Sequence, residues 1–145
     1  MEEKLAGVFR ERRRELKCEH LRRQGGLGVS APAIFTSPLT RAVETAGILA
    51  EETGARRPEE TDILEPGAAP EELLEMAKEL VSWERVIFVG HQPDLGCFAS
   101  VLLWGQPGRS FGIGAGAVLA IRLEVVERGG GSLEFVLDPE DPGLV

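Results

Sequence analysis

Several features that would narrow the function quickly are scarce or missing in this sequence. Only two cysteines are present, Cys18 and Cys97, and their wide separation matches neither a zinc-binding nor a redox spacing. No stretch approaches about 18 consecutive apolar residues, so the sequence predicts no membrane span. The first residues also lack the apolar stretch and cleavage site of a signal peptide. We therefore expect a cytoplasmic protein with reduced thiols.

Positive charge is also in short supply. The sequence has 24 acidic residues against 16 Lys and Arg, a formal net charge of −8 over 145 residues. This excess argues against a nucleic-acid partner, because phosphate backbones require clustered positive charge. Basic residues do gather in residues 1–30, but glutamates alternate with them, which is typical of a solvated helix face. The length is that of one domain, assigned here to residues 1–145.

The spacing of apolar residues predicts alternating strands and helices. Leu5, Val8 and Phe9 recur among charged residues at helical spacing and predict an N-terminal helix over residues 1–24. A strand over 33–36 is followed by Ser37 and Pro38, which suit the N-cap and first position of a helix ending at Gly54. The other predicted elements are a helix over 70–83, a buried strand over 85–91, a helix opening at Pro93 and a hairpin of 115–126 with 133–137. This order predicts a three-layer α/β sandwich with a mostly parallel central sheet.

Two strand-to-helix junctions carry residues that could bind an anion. Arg41 falls in the first turn of one helix, where a guanidinium and free N–H groups together favour a phosphate. His91 follows the central strand at its carboxyl end, where open α/β sheets bind ligands, and an imidazole there can bind or protonate a phosphoryl oxygen. Each residue alone also has an ordinary reading, Arg41 as a surface residue and His91 as a packing residue. Their joint occurrence favours an anion site.

The same two junctions resemble motifs of the histidine phosphatase (phosphoglycerate mutase-like) superfamily. The stretch Phe35-Thr36-Ser37-Pro38-Leu39-Thr40-Arg41-Ala42 is similar to its second motif. The stretch Val86-Ile87-Phe88-Val89-Gly90-His91-Gln92-Pro93-Asp94 is similar to the third motif of the SixA-type phosphohistidine phosphatase branch. The resemblance covers a family-like core over residues 33–139.

This resemblance implies a reaction and a set of partners. A family member transfers a phosphoryl group to a histidine and then to water, without a metal or other cofactor, while two arginines stabilise the phosphoryl oxygens. Carried over by position, Arg41 would be the second arginine and His91 the second histidine, which touches the phosphoryl group and assists proton transfer. The expected partner is a phosphorylated small molecule or a phosphohistidine protein, with neither nucleic acid nor membrane involved.

The sequence departs from the family in its first motif. Arg-His-Gly, which holds the nucleophile at the end of the first strand, occurs nowhere in the sequence. His20 is the only histidine besides His91, and its charged surroundings are typical of a surface helix. Residues 2–8 resemble the first family helix, so we expect the first strand to be missing, either by truncation or by natural loss. An open sheet position would expose ladder groups, which predicts a homo-oligomer.

Two functions remain open from the sequence. The chain is either part of a phosphatase whose nucleophile it lacks, or a non-catalytic phosphate-binding or regulatory module that keeps half of the pocket. As it stands, the chain is expected to be weakly active or inactive, because loss of a covalent nucleophile removes the pathway itself.

Overall fold

A computed structural model describes residues 2–7, 31–108 and 116–137 of the chain. They form six strands, three α-helices and one 3₁₀ turn. The strands are β1 (Glu2–Gly7), β2 (Ala33–Thr36), β3 (Glu59–Glu60), β4 (Arg85–Val89), β5 (Val118–Leu123) and β6 (Gly131–Leu137). The helices are α1 (Thr40–Thr53), α2 (Pro70–Glu79) and α3 (Asp94–Trp104), and the 3₁₀ turn is Asp62–Leu64.

The strands join in a single sheet with the order β3-β2-β4-β1-β5-β6. The first four in this order run parallel, whereas β5 is antiparallel to β1 and β6 is antiparallel to β5. The predicted fold class, a mostly parallel sheet within an α/β sandwich, is therefore confirmed. The predicted C-terminal hairpin is also present, and Gly129 in its turn has φ 72°.

The expectation that the first strand would be missing is wrong. Residues 2–7, predicted as the start of a helix over 1–24, form β1, which lies between β4 and β5. Glu3 pairs with Arg85 of β4 on one side and with Arg122 of β5 on the other. Hydrogen bonds to two neighbours outweigh a local helical pattern, because such a pattern is a weak constraint compared with tertiary pairing. The open sheet position that predicted self-association is thus filled.

Helices cover both faces of the sheet, as the three-layer prediction requires. On one face, α1 buries Ala42, Ala46 and Leu49, which recur three and four residues apart, against the strands. Gly54 ends α1 in the left-handed conformation, with φ 72°, as the sequence predicted. On the other face, α2 and α3 pack over a core that contains Phe88.

The boundaries of several elements differ from those predicted. Helix α2 ends at Glu79 instead of residue 83, and β4 ends at Val89 instead of residue 91. Residues 55–70, predicted as a loop, contain the short edge strand β3 and the 3₁₀ turn. No helix in the described part of the chain has the length and apolar character needed to cross a membrane.

Candidate phosphoryl-binding site

The two strand-to-helix junctions meet at one edge of the sheet. Strands β2 and β4 are parallel neighbours, and Thr36 lies opposite Val89 at their carboxyl ends. The N–H of Ser37 donates to the Val89 carbonyl at 2.9 Å, which continues the contact one residue beyond β2. Arg41 is the second residue of α1, and His91 lies two residues after β4. The topology therefore brings both predicted site residues to the same edge, where open α/β sheets bind ligands.

A side-chain hydrogen bond links the two junctions directly. The Nε2 atom of His91 lies 2.8 Å from Oγ of Ser37. Ser37 is fully buried, whereas His91 is half-buried. The same Ser37 oxygen accepts a hydrogen bond from the N–H of Leu39 at 3.2 Å. The hydroxyl thus connects the imidazole to the turn that leads into α1.

The start of α1 is electrostatically suited to an anion. The first turn of a helix has N–H groups without intrahelical partners and carries the positive end of the helix dipole. No acidic residue lies in the first turn of α1, so no carboxylate of that turn competes for this charge. Arg41 adds a guanidinium in the same turn, and its side chain is exposed. Together these groups can bind a phosphate, to which arginine can donate two parallel hydrogen bonds.

A segment over residues 61–68 crosses this edge and forms a wall beside the site. The N–H of Thr61 donates to the carbonyl of Thr36 at 2.9 Å. Further along, Leu64 packs beside Gly90, where a Cβ would be in van der Waals contact with the Leu64 side chain at 3.4 Å. The segment thus runs from the end of β2 to the end of β4. Gly90 faces Leu64 and Leu95.

Asp94, in the first turn of α3, holds the far end of this segment. Its Oδ2 accepts hydrogen bonds from the N–H groups of Gly67 at 2.7 Å and Ala68 at 3.2 Å. In the sequence, Asp94 is only the last residue of the stretch that is similar to the third family motif. The structure adds a role in fixing the wall of the site.

Replacing Asp94 tests that role. We expect Asp94→Ala to lower the free energy of unfolding by about 1–2 kcal/mol, because two backbone donors lose a charged acceptor. Hydrogen exchange at the Gly67 and Ala68 amides should accelerate by more than exchange in β4. Asp94→Asn is the matched control, since it removes the charge but keeps an acceptor oxygen. Equal protection of both amides in wild type and Asp94→Ala would contradict this assignment.

Sequence reasoning treated Ser37 only as a helix cap and missed its contact with the histidine. Helix α1 begins at Thr40, and its N-cap position is Leu39, so Ser37 precedes the cap and its oxygen instead receives the Leu39 N–H. A polar residue directly after β2, opposite the end of β4, is the sequence signal that could have found it. His20, the other histidine considered, lies outside the described residues.

A groove of about 770 Å³ lies elsewhere, along α2 and the amino-terminal part of β2. Neither Arg41 nor His91 lines it. Its charged lining consists of five glutamates and two arginines: Glu59, Glu71, Glu72, Glu75, Glu79, Arg56 and Arg57. An excess of carboxylates repels phosphate, so the groove is not a candidate phosphoryl site. One of them, Glu71, has its pKa lowered by a hydrogen bond from Arg128 at 2.8 Å.

Comparison with solved structures identifies the class of the fold. The protein histidine phosphatase SixA complexed with tungstate superimposes with a TM-score of 0.70 at 16% identity, covering 94% of this chain and 97% of that one. An alpha-ribazole phosphatase from Shigella flexneri gives 0.65 at 15% identity, with 94% and 96% covered. A mycobacterial glucosyl-3-phosphoglycerate phosphatase gives 0.64 at 14% identity, with 92% and 96% covered. The fold is that of the histidine phosphatase superfamily, so the resemblance seen in the sequence is confirmed for the fold.

A closer relative comes from sequence. An uncharacterized protein of Picosynechococcus sp. (strain ATCC 27264 / PCC 7002 / PR-6) is 32% identical over 117 residues, which cover 77% of this chain and 67% of the relative. The chain belongs to the same family as that protein. No protein-family model matches the chain.

Proposed function

We propose that this chain binds the phosphoryl group of a phosphohistidine protein or a small phosphomonoester, as a phosphatase-like member of its superfamily. The observation that carries the proposal is the 2.8 Å contact between His91 and Ser37, which ties the histidine to the turn that leads into α1. An imidazole, a guanidinium and a helix N-terminus then share one edge of the sheet. The solved neighbours support the substrate class, since they include phosphatases and a tungstate complex.

Arg41 and His91 have different roles in this proposal. Arg41 binds the phosphoryl oxygens, and its charge stabilises the negative charge that they carry during transfer. His91 donates a hydrogen bond to a phosphoryl oxygen and can exchange a proton with the leaving group. Both are catalytic residues in the sense that they touch the group being transferred.

The sequence does not supply the nucleophile in the expected form, as the histidine of an Arg-His-Gly motif. The chain continues after β1 with Val8, Phe9 and Arg10, where the family has Arg-His-Gly at the end of the strand. His91 is the only histidine in the described part of the chain. We therefore expect binding to be retained and turnover to be weak, which keeps a non-catalytic phosphate-binding module as the second candidate function.

Binding and turnover measured on the same protein test the proposal. Inorganic phosphate and tungstate should bind with one site per chain, detected by calorimetry, and His91→Gln should weaken that binding. Hydrolysis of a chromogenic phosphomonoester should stay near the rate of the protein-free control. Failure of both anions to bind would refute the phosphoryl site. Robust turnover that is lost in His20→Gln but kept in His91→Gln would show that the roles assigned here are wrong.

A further inference from the structure

The contact between Ser37 and His91 constrains where the protons of both groups lie. A serine hydroxyl has one hydrogen to donate and two lone pairs. One lone pair of Oγ already receives the Leu39 N–H at 3.2 Å. In residues 2–7, 31–108 and 116–137, the other polar atom close to this oxygen is Nε2 of His91, at 2.8 Å. The direction of the hydrogen bond between serine and histidine therefore determines whether the hydroxyl hydrogen has a partner.

Burial favours one direction over the other. Ser37 is 0% exposed, so a hydroxyl hydrogen that does not point at Nε2 would be left without water. A buried unpaired donor is costly, whereas a neutral imidazole nitrogen is a good acceptor. We infer that Ser37 donates to Nε2 and holds His91 in the tautomer that carries its proton on Nδ1. Ser37 is then a positioning residue that fixes both the ring orientation and the nitrogen that can donate.

The same pair could be mistaken for a nucleophile and its base. A serine oxygen 2.8 Å from an imidazole nitrogen has the separation expected of an activated hydroxyl. An attacking oxygen, however, must reach the phosphorus of a substrate, and Ser37 has no exposed surface. Its oxygen also accepts a backbone N–H, which lowers its nucleophilicity further. The geometry therefore fits a positioning role and not a phosphoserine intermediate.

The tautomer has a consequence for ligand binding, and this step rests on the proposed function. With Nε2 engaged by Ser37, the donor left on the neutral ring is Nδ1–H, on a side chain that is half-buried and not fully enclosed. A bound phosphoryl oxygen should therefore accept its hydrogen bond from Nδ1. Loss of the serine hydroxyl should let the proton move to Nε2 and so leave Nδ1 without a hydrogen to donate.

Nitrogen chemical shifts of the histidine rings provide the test. The chain contains two histidines, so His20→Gln leaves a single ring to observe in a protein labelled with ¹⁵N-histidine. At alkaline pH, long-range ¹H–¹⁵N spectra should show His91 mainly protonated on Nδ1. Ser37→Ala should shift the population towards the Nε2–H form, and Ser37→Thr, which keeps a hydroxyl, should restore the Nδ1–H form.

A matched control separates this effect from the loss of any buried serine. Ser100 is also 0% exposed, and its Oγ donates to the Gln106 carbonyl at 2.6 Å. Ser100→Ala should leave the His91 tautomer and the phosphate affinity unchanged. Ser37→Ala should weaken inorganic phosphate binding by about 3- to 10-fold, the effect of one neutral hydrogen bond.

The outcomes distinguish this inference from the proposed function. If the His91 ring is mainly in the Nε2–H form while Ser37 is unchanged, the inference is overturned. This outcome does not depend on whether phosphate binds or on whether Ser37→Ala folds. An Nδ1–H ring in a protein that binds no phosphate supports the role of Ser37 and refutes the phosphoryl site. Detection of phosphorylated Ser37 by mass spectrometry after incubation with a phosphomonoester would overturn the positioning role.

Discussion

Phe88→Ala is expected to lower the free energy of unfolding by about 3–5 kcal/mol, the range measured for large aromatic truncations in protein cores. Phe88 is the fourth of the five residues of β4 and is 1% exposed. Its ring contacts Phe35 in an edge-to-face arrangement, with centroids 6.2 Å apart, and Phe98 at 5.9 Å. Truncation would therefore leave a cavity between β2, β4 and α3, the elements that position the site.

Urea unfolding followed by tryptophan fluorescence measures this loss, since Trp83 packs against the core that contains Phe88 and Trp104 is the last residue of α3. The free energy of unfolding should fall much less in Phe88→Leu, because leucine keeps most of the buried volume. Leu133 is 43% exposed, so Leu133→Ala provides an exposed control and should change stability by less than about 0.5 kcal/mol. A midpoint for Phe88→Ala equal to that of Leu133→Ala would contradict the core assignment.

The sequence predicts β4 and α1 well because the signals for these two elements are local. The consecutive apolar residues of β4 can only be buried on both sides, as in a parallel sheet. In α1, apolar residues recur every three or four positions and Gly54 marks the end. Neither signal depends on knowing which other element packs against it.

The failure at β1 has the opposite cause. Three of the first four residues of this strand, Glu2, Glu3 and Lys4, are charged, whereas a strand with parallel neighbours is usually apolar. Leu5 with Val8 and Phe9 also fits helical spacing. What makes residues 2–7 a strand is their pairing with β4 and β5, which are about 80 and 115 residues away in sequence. Pairing at that distance leaves no mark on the local pattern.

Some features of the site are likewise predictable from the sequence, whereas others depend on distant partners. The edge shared by Arg41 and His91 follows from topology, because carboxyl ends of neighbouring parallel strands meet. The hydrogen bonds of Ser37 and Asp94 do not follow from it, since their partners are 54 and up to 27 residues distant. Sequence reasoning can therefore place a pocket on a fold before it can say which side chains hold the pocket's residues in position.

Arg41→Ala is expected to weaken binding of inorganic phosphate or tungstate by about 10- to 100-fold, which corresponds to about 1.5–3 kcal/mol for hydrogen bonds to a charged group. Arg41 is exposed at the start of α1 and buries no core surface, so the fold should be unaffected. The affinity of Arg41→Lys should lie between those of wild type and Arg41→Ala, because lysine keeps the charge but cannot donate two parallel hydrogen bonds. Calorimetric titration gives the affinities, and thermal unfolding checks the fold.

Arg56→Ala is the control that separates a direct contact from a general effect of charge. Arg56→Ala makes the same change in net charge as Arg41→Ala, and Arg56 is likewise exposed. Arg56, however, lies before β3, at the glutamate-lined groove and not at the edge that holds His91. Long-range attraction of a dianion would weaken similarly in both variants and would vanish at high salt. If Arg41 contacts the anion at the start of α1, only Arg41→Ala should show a large loss of affinity. This loss should persist as salt is raised. Equal losses in the two variants would remove Arg41 from the phosphoryl site.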